Sequence, residues 1–197
     1  MAAALTLFVE RGYAATRVED VARKAGVSKG TVFLYYENKE ALFKAVVRDS
    51  ISGRYAQWST EITEYTGPSA DLLRRCLLAW WEHIGSTPAG AMARLMLTEL
   101  PQFPQLAAFY QQEVVEPGNA LIAQVLQRGM ARGELRPMEV SYGVALVTAP
   151  LVWLALRHHG AGGVAHCLGN LDPLTYLNTH CTLLMQGLAL PPPPRTE

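Results

Sequence analysis

The sequence predicts an all-α fold, and 197 residues make either one large domain or two modest ones. Three observations support this prediction. Apolar residues recur at helical spacing along almost the whole chain. No segment alternates apolar and polar residues as a half-buried strand does. Half of the 197 residues are apolar, which is enough to build a core.

The chain is predicted to begin with an amphipathic helix that ends at Gly12. Thr16 follows, and Glu19 is the third residue after it, which is the pattern of a capping box at the start of a second helix. Asn38 is the expected N-cap of a further helix, because apolar residues follow it at helical spacing.

The spacing of Ala22, Gly26 and Val32 is that of a helix-turn-helix. A small residue lets two helices approach closely, glycine tolerates a left-handed turn, and a buried β-branched residue fixes the second helix. Residues 28–36 would then be a recognition helix, whose N-terminal turn enters the major groove in such motifs. A plain helical hairpin, in which the small residues serve packing alone, explains the same spacing.

The run LFVERGYAATRVEDVARKAGVSKGTVFLYYENKEALF, Leu7 to Phe43, resembles without a gap the DNA-binding domain of the TetR/AcrR family of transcription regulators. It shares the RGY-x-x-T motif, the AGVSKGT turn and the NKEALF start of the next helix. The resemblance implies an all-α homodimer with two domains. A three-helix, helix-turn-helix DNA-binding domain occupies residues 1–45, and a helical ligand-binding and dimerisation domain occupies 46–190. A proline-rich tail at 191–197 follows.

Two features differ from the usual pattern of that family. Members usually have a longer first helix, often preceded by a basic arm, so we expect any minor-groove contact from such an arm to lie outside this sequence. Phe33 and Leu34 stand where the family often has a tyrosine or histidine able to donate a hydrogen bond. Since phenylalanine has no polar hydrogen, we do not expect a phosphate contact from Phe33.

We expect three kinds of DNA contact. Thr16 and Lys39 lie at helix starts, where N–H groups and positive charge favour phosphates. Tyr35, carried over from the family's aromatic pair, adds a hydroxyl contact to the backbone, while Tyr36 packs inward. The recognition helix directs other side chains to base edges. The complete expected DNA-binding set is Thr16, Ser28, Lys29, Gly30, Thr31, Leu34, Tyr35 and Lys39.

The second unit is expected to enclose a pocket. In the amphipathic segment 69–86, Trp80 falls on the most apolar arc and Trp81 on its border, so Trp80 is the better pocket candidate. Ordinary core packing is the alternative for each aromatic residue. The expected lining is Trp58, Leu77, Trp80, Met96, Tyr110 and Trp153. It favours an apolar or aromatic ligand, with Arg94 or Arg157 available to turn inward toward an acid.

Residues 139–158 are apolar nearly all round, which a helix with one wet face is not. One side carries Val140 and Val144, and the opposite side carries Tyr142 and Leu146. The family resemblance supplies a neighbour for each side, the protomer's own core and a second subunit, but the sequence does not say which side faces which. We assign to the dimer interface Val140, Val144, Val147, Leu151, Leu177, Cys181 and Leu184, in a four-helix bundle.

Composition narrows the class of protein. The formal net charge is zero, so the whole chain has no general attraction to nucleic acid or anionic lipid. Three cysteines without close spacing suit a reducing compartment. The first residues lack the basic segment of a signal peptide, and we see no uninterrupted apolar run of about 18–20 residues, as a membrane helix needs. We therefore expect a cytoplasmic protein.

Neither metal binding nor catalysis has a supporting motif. Histidines and cysteines occur near the C-terminus without the spacing of ligands; they are His158, His159, His166, Cys167, His180 and Cys181. Cys76 and His83 share a helix face, but no acidic residue is placed to orient the histidine. We expect no catalytic residue, no metal and no cofactor.

The leading hypothesis is a transcriptional repressor that a small molecule releases from double-stranded operator DNA. The alternative is a helical protein-interaction module whose helix-turn-helix no longer reads DNA. A gel shift with the DNA upstream of the gene separates the two.

Overall fold

The computed structural model describes residues 1–160 and 171–188, which form helices and no β-strand. The α-helices are α1 (Ala2–Ala15), α2 (Val18–Lys24), α3 (Lys29–Tyr35), α4 (Lys39–Ser50), α5 (Tyr55–Glu64), α6 (Ser69–Trp80), α7 (Met92–Thr98), α8 (Pro104–Tyr110), α9 (Glu116–Ala131), α10 (Val140–His159) and α11 (Pro173–Leu188). The expected tail at 191–197 and the pair His166-Cys167 lie outside the described residues.

An aromatic cluster joins the N-terminal helices to the rest of the protein. The ring of Phe43 meets those of Phe8 and Tyr13 edge-on, each at 5.2 Å between centroids. Tyr13 also packs on Phe103, at 4.9 Å, which lies just before α8. The two units therefore share a continuous core, and α4 crosses from one to the other, so the boundary expected after residue 45 falls inside a helix.

The second core lies between α6, α9, α10 and α11. Leu77, Leu126 and Val147 are fully buried in it, each 0% exposed. These residues come from three different helices, because each helix presents one apolar stripe to the centre. This bundle forms the C-terminal half of the described structure.

Two π turns interrupt the helical bundle. Trp81–Gly85 follows α6, and Gln111–Val115 joins α8 to α9. A π turn adds a residue to the helical repeat and changes which side chains face inward, and such turns are frequent at functional sites. The second turn places Val114 and Val115 beside a cavity.

Helix α10 corrects one expectation from the sequence. Among the described residues it is the one helix long and apolar enough to cross a membrane, with a mean hydropathy of 1.5. The polar residues Tyr142 and Thr148 do not lower the hydropathy of this run enough to exclude it. One side of α10 nevertheless packs within the protomer, through Val147, Leu151 and Leu154, as in the core helix of a globular protein.

Candidate functional site

The turn between α2 and α3 has the geometry expected of a helix-turn-helix. Gly26 adopts a φ of +70°, in the left-handed region that favours glycine. The N–H of Val27 donates to the carbonyl of Ala22 at 3.0 Å and closes the turn. Ala22 and Val32 are buried at 2% and 8% exposure, so they hold the two helices together.

Helix α3 starts with a side-chain cap and exposes a mixed polar and apolar surface. The Ser28 hydroxyl oxygen accepts a hydrogen bond from the N–H of Thr31 at 3.0 Å. Leu34 and Tyr35 are 83% and 77% exposed, although apolar side chains of this size usually pack inside. Lys29 and Gly30 are also exposed. This surface suits contacts with bases and their methyl groups.

Lys29 is paired within the protein. Its ammonium lies 2.5 Å from a carboxylate oxygen of Glu19 on α2 and sits above the Phe33 ring, 5.5 Å from the centroid. The hydrogen bond from Lys29 lowers the pKa of Glu19 below its ordinary value. Because both side chains are largely exposed, this pair is weak, and DNA can compete with Glu19 for the ammonium.

Thr16 does not form the expected capping box. Its side chain is buried, 1% exposed. Its hydroxyl donates to the carbonyls of Gly12 at 2.6 Å and Leu7 at 3.1 Å. Arg17 is the N-cap of α2 and makes no side-chain cap. Since the hydroxyl points back into α1, it is not available to a phosphate.

Lys39 is also turned inward, whereas we expected it to bind a phosphate. Its ammonium donates to the carbonyls of Tyr13 at 2.9 Å and Ala14 at 3.2 Å, at the end of α1, and lies above the Tyr13 ring. Burial lowers its pKa. The neighbouring cap is confirmed, since Asn38 Oδ1 accepts from the N–H of Ala41 at 2.8 Å.

A cavity of about 470 Å³ lies among α5, α6, α7, α9 and α10. Its volume is in the range of sites for small molecules. Its walls include five of the six residues expected from the sequence: Trp58, Leu77, Trp80, Met96 and Tyr110. Tyr55, at the start of α5, is a wall residue that the sequence reasoning did not single out.

Trp153 does not line the cavity. Its ring packs on Tyr176 of α11, with 5.2 Å between centroids, and the Arg157 guanidinium lies above it. Trp81 is 5% exposed and meets the His158 ring edge-on. Of the two adjacent tryptophans at the end of α6 and the start of the π turn, Trp80 is therefore the one beside the cavity, as its position on the helical arc predicted.

The cavity has few charged groups. Among its described wall residues the charged ones are Glu61 and Arg75, both exposed and therefore at the rim. Arg75 lies above the Tyr65 ring, 5.2 Å from the centroid. Burial raises the pKa of the Cys76 thiol to about 11, so this thiol is protonated at neutral pH and is not an activated nucleophile.

Helix α7 connects the cavity wall with α1. One of its faces contributes Met96 to the cavity. Another face carries Arg94, which donates to the Val9 carbonyl at 2.9 Å, so Arg94 does not turn into the cavity as the sequence had allowed. Just after α7, the Glu99 carboxylate accepts from the N–H of Ala14 at 3.0 Å.

A second connection joins the cavity to α4. Arg48 on α4 donates two hydrogen bonds to the carboxylate of Glu113, at 3.1 Å and 2.8 Å. Glu113 lies in the π turn whose next residues, Val114 and Val115, line the cavity. No sequence pattern marks this pair, because its partners are 65 residues apart and belong to no motif.

The surface of α10 requires a second correction. Most of the residues assigned to a dimer interface lie inside the protomer, because this side of α10 and α11 packs on α6 and α9. Val144, Val147, Leu151, Leu177 and Cys181 are each no more than 6% exposed, and Val140 and Leu184 are half-buried against the same core. The opposite side faces outward, with Tyr142 and Leu146 73% and 66% exposed.

Among the described residues, no group of three or more His, Cys, Asp or Glu side chains could hold a metal ion. His159 Nε2 lies 2.8 Å from the Gly85 carbonyl oxygen instead. This hydrogen bond ties the end of α10 to the π turn after α6.

Known proteins are similar to this chain in sequence and in fold. The HTH-type transcriptional repressor KstR2 of Mycolicibacterium smegmatis is 26% identical over 165 residues, 81% of this chain and 77% of KstR2. The regulator EthR of the same organism is 23% identical over 163 residues, 82% of this chain and 75% of EthR. The structure of FadR from Bacillus subtilis in complex with stearoyl-CoA has a TM-score of 0.73 at 18% identity, covering 94% of this chain and 96% of that one.

Family models cover both units. One described as bacterial regulatory proteins, tetR family, matches residues 1–46. Another, described as tetracyclin repressor-like, C-terminal domain, matches residues 64–166, more than half of the chain. The resemblance first found in residues 7–43 is thereby confirmed and extends into the C-terminal unit. The chain belongs to the TetR family of bacterial transcriptional regulators.

Proposed function

We propose that the protein is a homodimeric repressor that an apolar small molecule releases from double-stranded operator DNA. The observation that carries this proposal is the double role of α7 and of the turn after α8. Both line the cavity, and both bond to the N-terminal helices, through Arg94 and Glu99 on one side and Glu113 on the other. A ligand that displaces these walls would shift α1 and α4, which share a core with Val32 of the recognition helix.

The outward side of α10 supports the dimer. Tyr142 and Leu146 on α10 and Leu183 on α11 are large apolar residues that are more than 60% exposed. Monomers rarely expose contiguous apolar surface of this kind. Two copies of α10 and α11 would bury it in a four-helix bundle about a two-fold axis, which would also set the spacing of the two recognition helices.

The apolar walls support an effector with a largely apolar body. Relatives agree in kind, since the KstR2 structure from Mycobacterium tuberculosis is described as a ketosteroid regulator and the FadR structure holds stearoyl-CoA. The same features favour a regulator over an enzyme. Its place of action is the cytoplasm, where the chromosome is.

Fluorescence anisotropy with labelled DNA from upstream of the gene tests the proposal. We expect saturation at two chains per site and weaker binding to shuffled DNA of equal length. Leu146→Asp should prevent dimer formation and reduce operator binding, whereas Gln127→Asp, on an exposed position of α9, should not. Equal affinity for operator and shuffled DNA would instead favour the protein-interaction module.

A further inference from the structure

Two tyrosines that the sequence places far apart line the same cavity. Tyr55 begins α5 and Tyr110 ends α8, and both line the cavity wall. Tyr55 is 9% exposed. Tyr110 keeps some accessible surface although it lies deep among protein atoms, as expected when that surface faces an internal space. The two side chains are close enough for Tyr110 to add to the rise in the pKa of Tyr55.

Both hydroxyls are available as hydrogen-bond donors. Burial raises the pKa of each well above its ordinary value, so both keep their protons at neutral pH. Neither hydroxyl makes a hydrogen bond to another described residue, and both keep some accessible surface. An apolar ligand that covered these hydroxyls would leave two donors without a partner, which costs free energy, whereas a ligand oxygen can accept from both.

The surroundings of the two tyrosines are neutral. Tyr55, Tyr110 and Met96 belong to the part of the cavity that adjoins the core of the N-terminal unit. The charged wall residues, Glu61 and Arg75, are at the exposed rim. A carboxylate placed beside the tyrosines would be buried without a cation, which is unfavourable, whereas a neutral oxygen acceptor needs only the two O–H groups.

We propose that Tyr55 and Tyr110 form a subsite for a neutral oxygen acceptor, a ketone, ester or alcohol oxygen, at the inner end of an otherwise apolar effector. This inference rests on the proposed function, because it concerns the ligand of the same cavity. The subsite would favour such effectors over plain hydrocarbon chains, which offer no acceptor, and over molecules whose inner end is a carboxylate.

The subsite also lies where it can act on the DNA-binding helices. Tyr55 follows α4 after a single 3₁₀ turn, Ser52–Arg54. Tyr110 is three residues before Glu113, the partner of Arg48 on α4. An oxygen atom that accepts from both hydroxyls therefore draws together two segments that are each attached to α4.

Equilibrium dialysis of the wild-type protein without DNA tests the subsite. The probes are 9-fluorenone, fluorene and fluorene-9-carboxylate, which share a ring system and differ in the oxygen group. Tyr55→Phe and Tyr110→Phe remove one hydroxyl each and keep the ring. Tyr65→Phe is the matched control, because Tyr65 lines the rim of the same cavity.

We expect each of Tyr55→Phe and Tyr110→Phe to weaken fluorenone binding about fivefold, the effect of one hydrogen bond, without weakening fluorene. Tyr65→Phe should change neither, and the carboxylate should bind more weakly than the ketone. The proposal is overturned if both hydroxyl deletions leave fluorenone binding unchanged, if Tyr65→Phe reduces it equally, or if no probe binds. Operator binding is measured separately, so its absence would refute the repressor function without altering this result.

Discussion

Gly12 and Glu99 should be coupled energetically, and a double-mutant cycle can measure the coupling. Gly12 interrupts α1 with a φ of +85° and a ψ of 168°. The Glu99 carboxylate occupies the space that a Cβ at this position would need, and it accepts from the N–H of Ala14 at 3.0 Å. Gly12→Ala must therefore strain the backbone and also expel the carboxylate.

The two effects have separate magnitudes. Backbone strain of this kind costs about 1–3 kcal/mol. A charge-assisted hydrogen bond contributes about 1.5–3 kcal/mol when buried, and since this one is exposed we assign it about 1–1.5 kcal/mol after allowing for solvent screening. Glu99→Ala should then cost only the hydrogen bond. Gly12→Ala should cost the sum, about 2–4.5 kcal/mol.

In the double variant the hydrogen bond is lost only once. The two single effects should therefore exceed the double effect by about 1–1.5 kcal/mol, the contribution of the shared hydrogen bond. Urea unfolding followed by circular dichroism, at one protein concentration because the protein is expected to dimerise, gives the free energies. Glu64→Ala, on an exposed position of α5, is the control. Strictly additive single effects would refute the contact between Gly12 and Glu99.

Three further predictions concern charged side chains. Lys29→Ala should reduce the difference in binding free energy between operator and random DNA by about 1–3 kcal/mol. Glu19→Gln frees the Lys29 ammonium and should tighten binding to both DNAs in anisotropy titrations. Lys39→Met should lower the free energy of unfolding by about 1 kcal/mol and leave the salt dependence of DNA binding unchanged; a slope lower by about one per subunit would support the phosphate contact instead. Because Arg48 lowers the pKa of Glu113, this pair stabilises the fold above the ordinary carboxyl pKa, and the stabilisation is lost as pH falls through the lowered value. When the pH falls from neutral to about 3, the melting temperature of the wild type should therefore decrease more than that of Glu113→Gln.

Local features of the fold could be predicted from the sequence. The glycine turn at Gly26 and the cap at Asn38 depend on residues within one or two turns of each other. The position of Trp80 on a helical arc was enough to place it beside the cavity rather than Trp81. In each case the physical cause acts between near neighbours in the chain, so the local sequence is enough to predict the feature.

Other features depend on which of two partners a side chain meets. Thr16 could cap α2 or bond to the carbonyls of α1, and only the fold brings those carbonyls close. The Lys39 ammonium could bind a phosphate but donates instead to a carbonyl at the end of α1. Ala14 and Glu99 are 85 residues apart, and no local pattern marks such a pair. A helix with two apolar sides, such as α10, does not reveal which side its own core covers.

The proposed function requires that the cavity and the DNA-binding surface are coupled in one molecule. The direct test takes the compound that most raises the melting temperature in a thermal screen and measures its Kd with and without saturating operator DNA. Operator Kd is then measured with and without the compound. If the sites are coupled, operator DNA must change the Kd of the compound by the same factor as the compound changes the Kd of the operator. We expect this factor to be about 5–150, with the compound weakening the operator complex. Operator affinity that stays unchanged when the cavity is saturated would contradict the account.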